Sequence, residues 1–83
     1  MDLNKIGKFI SEERKKKNYT QKQLADILNI SDRTISKWEC GKGFPEVSLL
    51  QPLCKALGIS LNELLTGERL DKENSVKESR GKP

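Results

Sequence analysis

Histidine is absent from this chain of 83 residues. Since histidine is the usual general base near neutral pH and a common metal ligand, its absence argues against acid–base catalysis and against most metal sites. The two cysteines, Cys40 and Cys54, form no CxxC pair and cannot complete a tetrahedral zinc site by themselves. We therefore expect reduced thiols, at least one of them buried, with no metal site and no disulfide.

Long apolar runs are also absent. No stretch approaches the roughly 18 apolar residues that a membrane-spanning helix needs, and charges interrupt the amphipathic N-terminus, which excludes a secretory signal. The chain has no glycine-rich phosphate loop and no cysteine in an activating environment. The sequence thus predicts a cytoplasmic protein with no membrane partner, no cofactor and no enzymatic activity.

The excess of positive charge is small. Sixteen lysines and arginines stand against twelve acidic residues, a formal net charge of +4. Such a balance permits a polyanionic partner such as nucleic acid but does not identify one. The placement of the basic residues along the chain therefore matters more than their sum.

The apolar residues that are present lie almost entirely in residues 1–66. Residues 67–83 have only Leu70 and Val76 as aliphatic side chains, too few to offset the entropy of ordering the segment. We expect one folded domain over 1–66 and a flexible charged tail or linker over 67–83. The alternatives are a connection to a second domain, or a segment that becomes ordered in a dimer.

Helical periodicity predicts an all-α domain of five short helices, at about residues 3–17, 21–28, 32–39, 46–57 and 61–66. Capping boxes begin the second helix at Thr20 and the fifth at Ser60. Pro52 conflicts with the fourth helix, where we expect a kink or a helix that begins properly near Ser48. The apolar positions predicted to face the core in helices one, two and four are Leu3, Ile6, Ile10, Leu24, Ala25, Ile27, Leu28, Val47, Leu50, Leu53, Cys54 and Leu57.

The spacing in the second and third predicted helices is typical of a helix-turn-helix. Such a motif needs a small residue where the helices cross, a residue that tolerates positive φ at the turn, and apolar anchors on the second helix. Ala25 and Asn29 meet the first two needs, and Ile35 and Trp38 meet the third. Because Trp38 shares a face with Ile35, we expect it to pack in the core rather than stack on a base.

From Ile6 to Leu65 the chain resembles the Cro/phage-repressor-like (XRE-type) helix-turn-helix family. The most specific motifs are TQKQLA, SDRTISKWE and ALGISLNELL, and only the tail is unmatched. The resemblance implies a lambda-repressor-like domain of five helices that binds DNA and regulates transcription, often as a repressor. Asn29 stands where the family commonly has glycine, but asparagine is the next-best residue for a left-handed turn.

The resemblance also implies the residues that contact DNA: Gln21, Ser31, Asp32, Arg33, Thr34, Ser36, Lys37 and Lys42. In that assignment Gln21 and Lys42 bind the DNA backbone. Arg33 and Lys37 suit this role chemically, since both can donate to guanine O6 and N7. Asp32 can accept from cytosine N4, or it can simply favour the positive end of its helix.

A further feature implied by the resemblance is an ion pair between Arg14 and Glu39 that holds the recognition helix against the first helix. The alternative is two unrelated surface charges.

The leading functional hypothesis is sequence-specific binding of double-stranded DNA by a homodimer, with helix 32–39 in the major groove. The second is an antitoxin-like or controller module that binds a protein partner and its own promoter.

Overall fold

Five α-helices and no strand make up residues 1–70, the part of the chain that the computed structural model describes. This arrangement confirms the predicted all-α fold. The helices are α1 (Leu3–Lys16), α2 (Gln21–Leu28), α3 (Asp32–Glu39), α4 (Val47–Leu57) and α5 (Leu61–Thr66).

Side-chain caps start most of these helices. Thr20 and Ser60 form the two expected capping boxes, with Gln23 and Glu63 as their third-position partners. Ser31 caps α3 by accepting a hydrogen bond from the backbone N–H of Arg33. These caps satisfy N–H groups that have no partner inside the helix, which explains why polar residues begin the helices where they do.

Residues in the left-handed backbone conformation end α2 and α4. Asn29 ends α2 with φ 60°, and Gly58 ends α4 with φ 69°. Helix α4 begins at Val47 and continues through Pro52, although Pro52 has no N–H to donate to the carbonyl of Ser48. Because Asn29 adopts the left-handed conformation, the tight turn between α2 and α3 depends on this asparagine.

The core draws on all five helices and on the α4–α5 connection. Its fully or nearly fully buried apolar residues are Ile6, Phe9, Ile10, Leu24, Ala25, Leu28, Ile35, Trp38, Leu53, Cys54, Leu57, Ile59 and Leu64. Ala25 has no exposed surface, and so occupies the crowded position expected of the small residue in α2.

Two predicted core positions are wrong. Ile27 is 52% exposed and Val47 is 85% exposed. Ile27 lies on the flank of α2, away from the midpoint of the face that Leu24, Ala25 and Leu28 bury. Val47 is the first residue of α4, where the other helices no longer cover it. Leu3 and Leu50, also predicted to be buried, are only half-buried.

Helices α1 and α3 meet backbone to backbone at Gly7. A Cβ atom built on Gly7 would lie 2.2 Å from the carbonyl oxygen of Trp38 and 2.8 Å from that of Glu39. Any side chain at this position would push the two helices apart. Gly7 therefore sets how closely the scaffold holds the C-terminal end of α3.

After α5 the chain turns back onto α1. Gly67 has φ 75°, and the following residues contact α1 and α5. We call residues 67–70 the C-terminal clasp. Arg69 Nη1 lies 3.2 Å from Glu13 Oε1, and the backbone N–H of Leu70 donates to Glu63 Oε2 at 2.9 Å. The clasp covers the first four residues of the predicted tail, and the rest of that prediction, 71–83, lies outside the described residues.

Candidate nucleic-acid interface

Helix α3 divides cleanly into an inner and an outer face. Ile35 is fully buried and Trp38 is 4% exposed, so these two residues hold the helix on the core. Asp32, Arg33 and Lys37 are exposed on the other side. Within residues 1–70, the side chains of Arg33 and Lys37 make no hydrogen bond or ion pair. The outer face therefore presents two cations that are available to a partner.

Smaller polar side chains border that outer face. Ser31 is exposed, and its hydroxyl already accepts a hydrogen bond at the helix start. Thr34 and Ser36 are half-buried, so each keeps part of its surface toward solvent. All three retain a hydroxyl that can donate to a phosphate or to a base edge.

Lys42 follows α3 in a short loop. Its backbone N–H donates to the carbonyl oxygen of Lys37 at 2.9 Å, and the N–H of Gly41 donates to that of Trp38. Gly41 has φ 74° and contacts Asn4, where a Cβ would meet the asparagine side chain. Backbone hydrogen bonds thus hold the loop against the end of α3. The exposed Lys42 is joined in this way to the backbone of Lys37.

A buried network joins α1, α2 and α3. Arg14 donates from Nε to Glu39 Oε2 at 2.7 Å and from Nη2 to Glu39 Oε1 at 3.1 Å. Its Nη1 donates to the carbonyl of Tyr19 at 2.8 Å. The side chains of Arg14 and Glu39 are only 11% and 7% exposed. The geometry is the bidentate arrangement in which guanidinium and carboxylate bind most strongly.

Gln21 joins the same network. This half-buried side chain donates from Nε2 to Glu39 Oε1 at 2.9 Å. The sequence did not indicate this contact, because the family resemblance implies only a DNA-backbone role for Gln21 and the partners are 18 residues apart. A direct hydrogen bond therefore joins the first residue of α2 to the last residue of α3.

One cation on α2 is already paired. Lys22 donates to Asp26 at 3.0 Å, and this hydrogen bond, with the charges of Asp26 and Asp32, raises the pKa of Lys22 above its ordinary value. The interaction with Asp26 thus favours the charged form of Lys22. Its charge is partly offset by Asp26, so it contributes less to the positive face than Arg33, Lys37 and Lys42.

The described residues contain no group of three or more histidine, cysteine, aspartate or glutamate side chains that could hold a metal ion. Both cysteines are free, with Cys40 exposed and Cys54 buried. No helix within residues 1–70 is long and apolar enough to cross a membrane.

Comparison with known proteins places these features in context. The sequence profile of the helix-turn-helix family matches residues 10–64. The chain is 48% identical over 54 residues to the HTH-type transcriptional activator BcrR of Enterococcus faecalis, covering 65% of this chain and 26% of that protein. It is 40% identical over 60 residues to the cryptic phage CTXphi transcriptional repressor RstR of Vibrio cholerae, covering 72% and 54%. The chain thus spans only part of the length of these relatives.

The fold also matches a solved structure. The restriction-modification controller protein C.AhdI from Aeromonas hydrophila superimposes with a TM-score of 0.69 at 28% identity. The match covers 76% of this chain and 96% of that one. Nearly the whole of that controller protein is therefore similar to the helical domain described above.

Proposed function

The chain belongs to the XRE-type helix-turn-helix family, and from that premise we propose that it binds double-stranded DNA at specific sequences in the cytoplasm and regulates transcription. The observation that carries this proposal is the outer face of α3. Its cations Arg33 and Lys37 make no hydrogen bond or ion pair within residues 1–70, whereas Ile35 and Trp38 on the inner face are buried. We propose no catalytic activity and no cofactor.

Base recognition falls to the N-terminal half of α3, placed in the major groove. Arg33 can donate two hydrogen bonds to guanine O6 and N7, and Lys37 can donate to the same acceptors. Asp32 would repel phosphate and accept from cytosine N4, which would penalise a wrong base. Ser31, Thr34 and Ser36 supply additional hydroxyl contacts to phosphate or base edges.

The DNA backbone is held on either side of that helix. Gln21 stands at the N-terminus of α2, where the helix dipole and free backbone N–H groups favour an anion. Lys42 lies beyond the C-terminal end of α3 and adds a second cationic contact. These two positions fix the orientation of α3 in the groove without reading sequence.

We further propose that the domain acts as a homodimer, because one short recognition helix reads too few bases alone. Two copies would occupy half-sites about 34–36 Å apart on one face of the duplex. The dimer surface we favour is the apolar groove between α4 and α5, of about 540 Å³, lined by Leu50, Gln51, Pro52, Cys54, Lys55 and Leu61. Leu65, 37% exposed on α5, extends the apolar surface of these helices.

A second candidate function is that of a controller module that binds a protein partner as well as its own promoter. The similarity to nearly the full length of C.AhdI, a restriction-modification controller protein, favours this candidate. Relatives named as an activator and as a repressor both match the chain. The direction of regulation is therefore a separate question from DNA binding.

Selection of binding sites from random duplexes, followed by sequencing, tests the proposal. We expect enrichment of an inverted repeat whose half-sites are about one helical turn apart. The affinity for the selected site should fall steeply with salt concentration, because bound cations release counterions from DNA. No enrichment, or a flat salt response, would contradict DNA as the partner. Co-purification of a second small protein with the tagged chain would instead favour the controller module.

A further inference from the structure

The carboxylate of Glu39 is shared between two side chains of different helices. Arg14 of α1 donates to both of its oxygens, and Gln21 of α2 donates to Oε1 at 2.9 Å. Glu39 is the last residue of α3, and its side chain is 7% exposed. This one buried carboxylate therefore links α3 to Arg14 of α1 and to Gln21, the residue proposed to bind the DNA backbone.

The amide of Gln21 has two N–H groups. One is donated to Glu39, and the second has no acceptor within residues 1–70, so it can donate to a ligand. Gln21 is the first residue of α2, and the cap residue Thr20 already satisfies the backbone N–H of Gln23. The backbone N–H groups of Gln21 and Lys22, in the first turn of α2, point out of its N-terminal end, where the Gln21 side chain begins. Together they form a donor set that suits a phosphate oxygen.

We propose that Glu39 is a positioning residue for DNA-backbone binding. Its carboxylate holds the Gln21 amide in one orientation, so that the second N–H is directed at a phosphate before DNA arrives. A side chain that is already ordered loses less entropy on binding. The inference rests on the proposed DNA-binding function and adds to it a link between the phosphate contact and the recognition helix.

Arg14 makes this arrangement electrostatically acceptable. An unpaired carboxylate beside a DNA phosphate would repel it, but the bidentate bond to Arg14 balances the charge of Glu39. The Gln21 amide therefore stands between a neutralised pair and the proposed phosphate. The Arg14–Glu39 pair orients the amide without placing a net negative charge beside the phosphate.

The first test is independent of DNA. In the full chain, ¹⁵N relaxation gives an order parameter for the side-chain amide of Gln21. We expect a value near that of the rigid backbone, about 0.85, and a fall below about 0.6 in Glu39→Gln, whose single carbonyl oxygen must serve Arg14. Backbone order parameters of α2 and α3 should stay unchanged. An amide that is equally ordered in parent and variant overturns the inference.

The second test is a double-mutant cycle on affinity for the selected duplex, with Glu39→Gln, Gln21→Met and both together. Gln21→Met keeps the length of the side chain but removes its donors, and we expect a loss of about 2- to 10-fold on all sequences. The double variant should bind at least about 2-fold more tightly than the product of the single losses predicts. Losses that multiply overturn the inference, since a purely structural role of Glu39 gives that result.

Lys42→Met serves as the matched control for Gln21→Met. It also removes a proposed phosphate contact, but Lys42 makes no hydrogen bond or ion pair with Glu39 within residues 1–70, so its loss should multiply with that of Glu39→Gln. Circular dichroism verifies folding, and Glu39→Asp replaces Glu39→Gln if the latter unfolds, because it keeps the charge but withdraws it from Gln21. A parent that binds no duplex overturns the proposed function too, whereas retained binding with multiplying losses overturns this inference alone.

Discussion

Charged residues occupy two contrasting settings in this small domain. On α1 the neighbours Glu13 and Arg14 are buried, and each has partners: Glu13 contacts the C-terminal clasp and Arg14 contacts the end of α3. On the outer face of α3, Arg33 and Lys37 are exposed and have no partner in the described part of the chain. Charged residues therefore hold the domain together in one setting and, in the function proposed above, are available to DNA in the other.

The contrast shows how burial determines the consequence of losing a charge. A buried charge that loses its partner cannot be solvated, so its loss is felt in folding. An exposed charge is solvated by water when free, so its loss is felt only when a ligand would have replaced that water. Substitutions in the two settings should accordingly separate stability from DNA affinity.

The largest effect is expected from Arg14→Ala. Among residues 1–70 it leaves the buried Glu39 side chain with only Gln21 as a hydrogen-bond partner, and it should lower the free energy of unfolding by about 3–5 kcal/mol. Urea denaturation followed by circular dichroism measures this change. Arg33→Ala is the control, with an expected change within about 0.5 kcal/mol. Equal effects of the two variants would erase the distinction between the settings.

Gly7→Ala tests the close backbone contact between α1, which carries the buried charges, and α3, which carries the exposed ones. The added Cβ would lie against the carbonyls of Trp38 and Glu39, and neither backbone can move without shifting a helix. We expect a destabilisation of about 1–3 kcal/mol or more. Gly43→Ala is the matched control, because a Cβ there meets only Trp38 Cδ1 at an ordinary 3.8 Å. Thermal unfolding of both variants side by side would show whether the close approach matters.

On the exposed face, Arg33→Ala and Lys37→Ala should each weaken binding to the selected duplex by about 1–3 kcal/mol and relax its sequence preference. Their unfolding curves should match that of the parent. Lys8→Ala, an exposed lysine on α1, controls for the general loss of positive charge. If the α3 variants bind as tightly as the parent, the assignment of the recognition helix is wrong.

A smaller effect is expected in the clasp. Arg69→Ala removes a donor from the buried Glu13 and should cost about 1–2 kcal/mol of stability, less than Arg14→Ala because Arg69 is 37% exposed and Lys16 still contacts Glu13. Glu68→Ala breaks an exposed pair with Lys5 and should cost under about 1 kcal/mol. Denaturant titrations in which Glu68→Ala proved the more harmful would refute the structural role assigned to Arg69.

The smallest effect concerns pH. Burial, with the nearby charge of Glu63, raises the pKa of the Cys54 thiol above its ordinary value. A thiol with a raised folded-state pKa holds its proton longer when folded, so stability falls as pH rises above about 8.5. Cys54→Ala should flatten this part of the stability curve and Cys40→Ser should not. An unchanged slope in Cys54→Ala would show that the thiol does not titrate differently on folding.

Local sequence signals were sufficient to predict the helices and their bounds. The caps at Thr20, Ser31 and Ser60 and the left-handed Asn29 depend on neighbouring residues alone, so the helix bounds came within one or two residues. Burial by other helices does not depend on neighbouring residues alone. Ile27 and Val47 are apolar at helical spacing, yet they are 52% and 85% exposed.

The contacts that were not foreseen join residues far apart in the chain. Gly7 against α3, Gln21 on Glu39 and Arg69 on Glu13 each depend on how whole helices cross. A pattern read along one helix contains no information about that crossing. The ion pair of Arg14 with Glu39 was anticipated only through the family resemblance. The roles of the eight proposed DNA-binding residues stay predictions until binding is measured.

The two-sided construction of α3 also bears on how such proteins diversify. The residues that anchor the helix and those proposed to read DNA are different residues, so drift at positions 33 and 37 can proceed with little penalty in folding. After a gene duplication, two copies of this domain can come to recognise different operators while keeping one scaffold. Regulatory circuits can then separate through a few surface substitutions, with Ile35, Trp38 and the glycine beneath them held constant.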